Sequence, residues 1–290
     1  MAALVTVAAW AETPGEDPGE RDCVTEFHEG ISGRPVGLAR GPDSKLWFTE
    51  PAEGRLGMLD PETAGVIEFP LPRRSSPRYA TFAPDGRLWF TGTNGAIGVF
   101  EPASRRARFF TAGIIPGGAP HTPVVLADGG VYFSYENSPK LGRLDIETDA
   151  IDAVGRLPGN GGIHGLAVDS SQDALWAART DTDQLVRFNL QTRRFDRTIR
   201  FERGARPHDV AVGSNGRVYT TLQGNGRIGE FDPKTGETHE FLTALRPTAT
   251  PDQEPDFKLM ELAVGEGQDA VWATSFQASV STSSTSVSAA

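Results

Sequence analysis

The chain repeats itself every forty-odd residues, and this period limits its possible folds more than any other feature. The unit is clearest at 33–72. It begins with Arg34-Pro35-Val36-Gly37-Leu38-Ala39, a Pro42-Asp43-Ser44 turn and the run Lys45-Leu46-Trp47-Phe48-Thr49-Glu50. Arg55-Leu56-Gly57-Met58-Leu59-Asp60 follows and, after Pro61-Glu62-Thr63, Val66-Ile67-Glu68-Phe69. These are four short β-type runs separated by turn residues. The aromatic of the second run returns as Trp47, Trp89, Tyr132, Trp176, Tyr219 and Trp272, in steps of 42, 43, 44, 43 and 53. The third run carries Leu56-Gly57, Ile97-Gly98, Leu141-Gly142, Leu185-Val186 and Ile228-Gly229. Four strands in a period near 43 is the arithmetic of a β-propeller blade. The expectation is therefore an all-β, six-bladed propeller of four-stranded antiparallel blades.

Blades are expected at about 35–72, 77–112, 120–157, 162–201 and 207–243, with the last starting near Lys258. The long final step is taken up by an added loop, 244–257, rich in Pro, Thr and acid. Residues 1–21 read as leader and linker. Their apolar start ends Ala9-Trp10-Ala11, which fits a shortened secretory signal or a plain unstructured start, and both remain open. The propeller domain is expected over 22–283. The stray run Asp22-Cys23-Val24-Thr25-Glu26-Phe27 looks like a fourth strand that closes the ring, since closure removes exposed sheet edges. Residues 284–290 read as a disordered tail.

A net charge of −10 argues against nucleic acid and anionic membranes as partners. A small-molecule substrate and a monomer are expected. The single cysteine, Cys23, allows neither an internal disulfide nor a cysteine metal site.

In a propeller the first strand of each blade lines the central channel. Aligned on the repeat, the starts of these strands carry Val36, Tyr79 beside Arg78, His121, His164, His208 and the Lys258–Glu261 region. Three of the five histidines thus share one register, 43 and 44 residues apart, and should meet at the axis. Imidazoles so grouped suit a general base, a proton relay or metal ligands. The exits of the second strands add Glu50, Tyr135, Glu136 and Arg179. Carboxylates there suit a hard cation such as Mg²⁺, and Arg78 and Arg179 suit an oxyanion or carboxylate.

Leu46-Trp47-Phe48-Thr49-Glu50, Ile228-Gly229-Glu230-Phe231-Asp232, Val66-Ile67-Glu68-Phe69-Pro70-Leu71-Pro72 and, above all, Ala205-Arg206-Pro207-His208 resemble the streptogramin B (virginiamycin B) lyases over about 24–276. The resemblance implies a propeller, of seven blades in that family, and Mg²⁺-assisted elimination at the ester of a cyclic depsipeptide. It also implies a histidine base with glutamates placing the metal. The family's Arg-Pro-His matches at His208. Its next blade should read Glu-Pro-His, but Glu254-Pro255-Asp256 stands in the added loop, and the strand Trp272–Phe276 ends without a glutamate. Ala119-Pro120-His121 followed by Tyr132-Phe133-Ser134-Tyr135-Glu136 offers a substitute in the third blade.

The resulting expectation is an enzyme acting on a lactone, cyclic ester or related secondary metabolite. His208 would accept a proton, His121 and His164 would assist, Arg78, Tyr79, Tyr135 and Arg179 would bind substrate, and Glu136 and Glu50 would hold Mg²⁺. A metal-dependent lactonase, a biosynthetic cyclase and a non-catalytic propeller that binds a peptide or protein partner are the alternatives.

Overall fold

Each unit folds as its alternation and turn residues require: four antiparallel strands joined by tight Asp- and Gly-containing turns. The computed structural model describes residues 29–72, 75–111 and 118–242, and the strands Val5–Ala8, Val24–Phe27, Phe257–Val264, Val271–Gln277 and Thr285–Ala289. Five four-stranded sheets follow one another, their first strands being Leu38–Arg40, Pro77–Phe82, Pro120–Val125, Leu166–Val168 and Pro207–Val212. A three-stranded sheet begins with Phe257–Val264. Each first strand packs against the next sheet's first strand. A cavity of about 360 Å³ is walled by residues from all six, among them Leu38, Tyr79, Thr122, Leu166, Asp209 and Glu261. Among the described residues the helical content is one 3-10 turn, Thr180–Thr182, and no helix is long and apolar enough to cross a bilayer.

The repeat's glycine has a packing cause. Phe48 pairs with Gly57, Phe90 with Gly98 and Phe133 with Gly142 across the second and third strands. The ring lies flat over the glycine, so a Cβ there would meet it at 2.0, 2.2 and 2.2 Å. The fourth sheet lacks the glycine and also lacks the ring, for Val186 faces Ala177. In exchanging both partners the chain keeps the summed volume of the layer, which a close-packed interior requires. The aromatics Trp47, Trp89, Tyr132, Trp176 and Tyr219 all lie in buried clusters, such as Trp47 among Phe69, Phe82 and Phe100.

A second repeated device joins the sheets. Thr49, Thr91, Ser134 and Thr221, two residues past the repeat aromatic, donate hydroxyl hydrogen bonds to the carbonyls of Arg78, His121, His164 and Met260 in the following sheet. Three of these hydroxyls also accept an amide from their own sheet, Thr122 and Asp209 within the first strand and Gly37 just before it. Ala178 holds this position in the fourth sheet, where the Gly165 amide bonds the His208 carbonyl at 2.8 Å instead.

The ends of the chain depart from expectation. Val24–Phe27 pairs with Val5–Ala8, inside the stretch expected to be leader. Val5–Ala8 in turn runs beside Thr285–Ala289. The segment expected to be a disordered tail instead supplies the third strand of the last sheet, pairing from Trp272↔Ala289 to Phe276↔Thr285. Among the described residues no strand ladder joins Val24–Phe27 to the last sheet. Local alternation cannot specify which distant edge a short strand will meet. Ala9-Trp10-Ala11 and Glu254-Pro255-Asp256 lie outside the described residues.

Candidate functional site

Four of the first strands carry a register shift, between Pro77 and Ala80, Pro120 and Pro123, Pro207 and Val210, and Leu259 and Leu262, and His121 and His208 stand in two of them. A bulge places two residues against one and re-aims their side chains. The hydroxyls of Ser134 and Thr221 occupy this gap in the third and fifth sheets, each taking the amide of the residue after the histidine. The interblade hydrogen bonds set Arg78, His121, His164 and Met260 in one register around the axis, and Tyr79, Thr122, Gly165 and Glu261 follow them directly.

The fourth sheet brings in His164 by close approach. At Gly162 a Cβ would fall 1.7 Å from the Glu136 carbonyl oxygen, and at Gly165 it would fall 2.6 Å from the Asp209 Cα. Only glycine on either side of Ile163-His164 lets this segment fit between the neighbouring sheets.

The structure brings His121, His164 and His208 together. Their ring centroids are 5.1, 5.3 and 5.2 Å apart, and one ring nitrogen from each lies within 4.8 Å of the others. His121 is 1% exposed and His208 5%. Every Nδ1 has a partner: Thr122 Oγ1 at 3.0 Å for His121, Thr180 Oγ1 at 3.0 Å for His164 and the Met260 carbonyl at 3.4 Å for His208. The partners fix two tautomers. A carbonyl only accepts, so His208 carries its proton on Nδ1. The Thr180 hydroxyl gives its one proton to the Pro207 carbonyl at 2.7 Å, so His164 must donate from Nδ1 as well. The Nε2 of both rings is therefore a lone pair. The buried Nε2 of His121 has no hydrogen-bond partner.

Burial, first of all, keeps the cluster uncharged. It pushes His208 down to about 3, with the His164 charge adding to the effect. His121 is held well below the usual imidazole range by burial, then by His208 and His164, and His164 is lowered by burial as well. The Arg78 guanidinium is close enough to disfavour protonation of all three.

Arg78 and Tyr79 also belong to this centre. Arg78 Nη1 pairs with Glu136 Oε2 at 2.8 Å, and its guanidinium lies 5.0 Å over the Tyr79 ring. Tyr79 stacks on His121 at 4.0 Å. One residue further along the fifth and sixth first strands, burial raises the Asp209 carboxyl to about 7, while Glu261 is raised by burial and then by Asp209.

Three expected site residues have other roles. Tyr135 is fully buried and packs 5.2 Å from Phe133, because a residue two along a strand shares its face, here the apolar contact between sheets. Arg179 spends its guanidinium on Gln184 Oε1 at 2.9 Å and on the carbonyls of Pro158 and Asn160 at 3.3 Å, clasping a loop. Glu50 is buried against the Gly33 amide at 2.8 Å and Arg55 at 3.6 Å. Register alone could not reveal these uses, since each depends on a loop or sheet that folds back from elsewhere. Thr122, Thr180 and Asp209 escaped the sequence reading, which reached Glu261 only as the end of the Lys258–Glu261 region. The repeated hydroxyl two residues past the aromatic was the signal that could have found the ring they belong to.

The donors at the centre do not suit Mg²⁺. That ion takes a shell of oxygens in octahedral geometry, whereas the converging atoms here are imidazole nitrogens. Glu136 is committed to Arg78, and Glu50 stands outside the group.

A family model described as the virginiamycin B lyase family matches residues 21–281. No curated protein matches the chain at a significant level. Among solved structures, virginiamycin B lyase from Staphylococcus aureus superposes with a TM-score of 0.71 at 20% identity, over 86% of this chain and 80% of that one. A streptogramin B lyase gives 0.72 at 22% identity, over 86% and 79%. A gluconolactonase from Xanthomonas campestris gives 0.61 at 15% identity, over 83% and 82%. At these identities the superpositions speak for the propeller fold, and the family rests on the sequence match along most of the chain: the protein belongs to the virginiamycin B lyase family.

Proposed function

We propose that this protein is a six-bladed propeller enzyme that opens a lactone, cyclic ester or related small metabolite at its hub by elimination. The histidine cluster takes the proton from the carbon alpha to a carbonyl. A carbon–carbon double bond forms, the carbon–oxygen bond to the ester oxygen breaks, and a carboxylate leaves. His208 is the proton acceptor, since its Nδ1 is engaged by the Met260 carbonyl and its Nε2 is left a lone pair. His164 and His121 share or pass on that proton, and Arg78, held by Glu136, receives the developing negative charge. Tyr79 supplies an aromatic wall beside His121.

The observation that carries this reading is the meeting of three neutral imidazoles from three consecutive sheets beside an arginine. Family membership and the lactonase among the structural neighbours support an ester-ring substrate. The test is turnover of a panel of cyclic depsipeptides and lactones, with products weighed by mass spectrometry. Elimination leaves the mass unchanged and creates an alkene, whereas hydrolysis adds one water. His208→Asn, which retains a donor toward Met260, should abolish turnover of any substrate found. Full activity in that variant would end the assignment.

A further inference from the structure

We propose that His121, His164 and His208 bind one divalent transition-metal ion, Zn²⁺ foremost, through their three Nε2 atoms. This deepens the reading of the hub as the reacting centre but moves its base. An ion on all three Nε2 atoms occupies the His208 lone pair, so with the ion bound a water at its open position, not His208, takes the substrate proton. The proposal rests on the reading of the hub for what the ion does, not for whether it binds.

The Nδ1 atoms of His164 and His208 are donors, committed to Thr180 and to the Met260 carbonyl, so two Nε2 lone pairs are left at the cluster. A third ring nitrogen, His121 Nε2, is buried there without a partner. Sealing away an unsatisfied polar atom is costly, and such atoms in folded proteins call for an explanation. The Thr122 hydroxyl can accept from His121 Nδ1, which leaves the His121 Nε2 a lone pair as well. A cation satisfies all three at once.

Distances and surroundings agree. Nitrogens within 4.8 Å of one another leave a central point no more than about 2.8 Å from each. Ring movements of less than ~1 Å close this to the roughly 2.0–2.1 Å of a zinc–imidazole bond. Imidazole donors suit zinc, iron, cobalt, nickel and copper, whereas magnesium and calcium take oxygen. The outer partners are those a metal-binding histidine uses, a hydroxyl or a backbone carbonyl on the far nitrogen, which fixes the tautomer and the ring plane. The Arg78 charge opposes a second cation, and Glu136 offsets it at 2.8 Å. Three histidines leave a tetrahedral ion one open position. His164 is the least enclosed of the three rings, and the Arg78–Glu136 pair is half-buried. An ion there would supply Lewis acidity to a carbonyl oxygen and lower the pKa of a bound water.

The experiment uses the full chain, stripped with a chelator and titrated separately with Zn²⁺, Co²⁺ and Mg²⁺. Bound metal is measured by elemental analysis, and the Co²⁺ form is read by visible absorption. The expected result is one Zn²⁺ or Co²⁺ per chain, a tetrahedral cobalt spectrum and no competition from Mg²⁺. His121→Asn, His164→Asn and His208→Asn should each weaken Zn²⁺ binding by more than about 100-fold, above the cost of losing an outer-shell partner. Thr180→Val should weaken it by about 10- to 100-fold. His239→Asn, at an exposed position, should leave it unchanged, and circular dichroism checks that each variant folds. Sub-stoichiometric Zn²⁺, binding that survives all three histidine substitutions, or displacement by Mg²⁺ would overturn the site. Metal bound without any ester turnover leaves the site standing and removes the proposed reaction. Turnover in metal-free protein without Zn²⁺ binding does the reverse.

Discussion

If the fourth sheet keeps its layer volume by exchanging both members of the ring–glycine pair, converting it to the common pattern should be harmless only when both residues change. Val186 is fully buried opposite Ala177. Val186→Gly alone removes three carbons of buried side chain, about 2.4 kcal/mol at ~0.8 per carbon group. The flexibility of glycine within a strand adds about 0.5–1 kcal/mol. Ala177→Phe alone drives a ring into space that Val186 already fills, an overpacking cost of about 1–3 kcal/mol. Independent effects would sum to roughly 4–6 kcal/mol. In the double variant the ring introduced at position 177 lies over the glycine introduced at position 186, as Phe133 lies over Gly142, where a Cβ would come within 2.2 Å. The double variant should therefore lose no more than about 1–2 kcal/mol, a coupling of roughly 3 kcal/mol at the upper end of contacting pairs. Urea unfolding of the four proteins, with slopes compared to confirm a common transition, measures the cycle. A double variant as unstable as the sum of the singles would refute the volume-exchange argument.

Two further outcomes follow. Glu50 is raised by burial above its ordinary range, so between the unfolded and folded values the folded state binds the extra proton and stability falls as pH rises. Glu50→Gln keeps the acceptor for the Gly33 amide and should gain stability relative to the parent at pH 7 compared with pH 4, as read by urea unfolding, while Zn²⁺ uptake stays the same. A parent and variant with parallel pH profiles would contradict the buried charge. Ser134→Ala removes a hydroxyl that serves both the Thr122 amide and the His164 carbonyl, leaving two main-chain groups short of a partner. It should cost about 1–3 kcal/mol and weaken Zn²⁺ binding, whereas Arg108→Ala at the exposed rim should do neither.

The repeat was legible because its causes are local and recur. An aromatic every forty-odd residues marks the second strand of each sheet, and equal spacing places His121, His164 and His208 at equal depth once the sheets stand side by side. The same logic failed at Tyr135 and Arg179. Strand register gave their depth, but the neighbouring sheet and the 158–160 loop decided what they touch. It failed for Glu50 in the same way, since Gly33 and Arg55 enclose it.

By itself the sequence determined the period, the all-β fold, the residues that reach the hub and the family the chain resembles, because each is written in residue type at fixed intervals. Only the tertiary structure decided where the protons sit on those imidazoles. That depends on a threonine hydroxyl committed to the Pro207 carbonyl and on the Met260 carbonyl from the next sheet, contacts between residues 16 to 52 positions apart. Whether a buried nitrogen is a donor or a lone pair is settled by what lies opposite it in space, and no spacing along a chain records that.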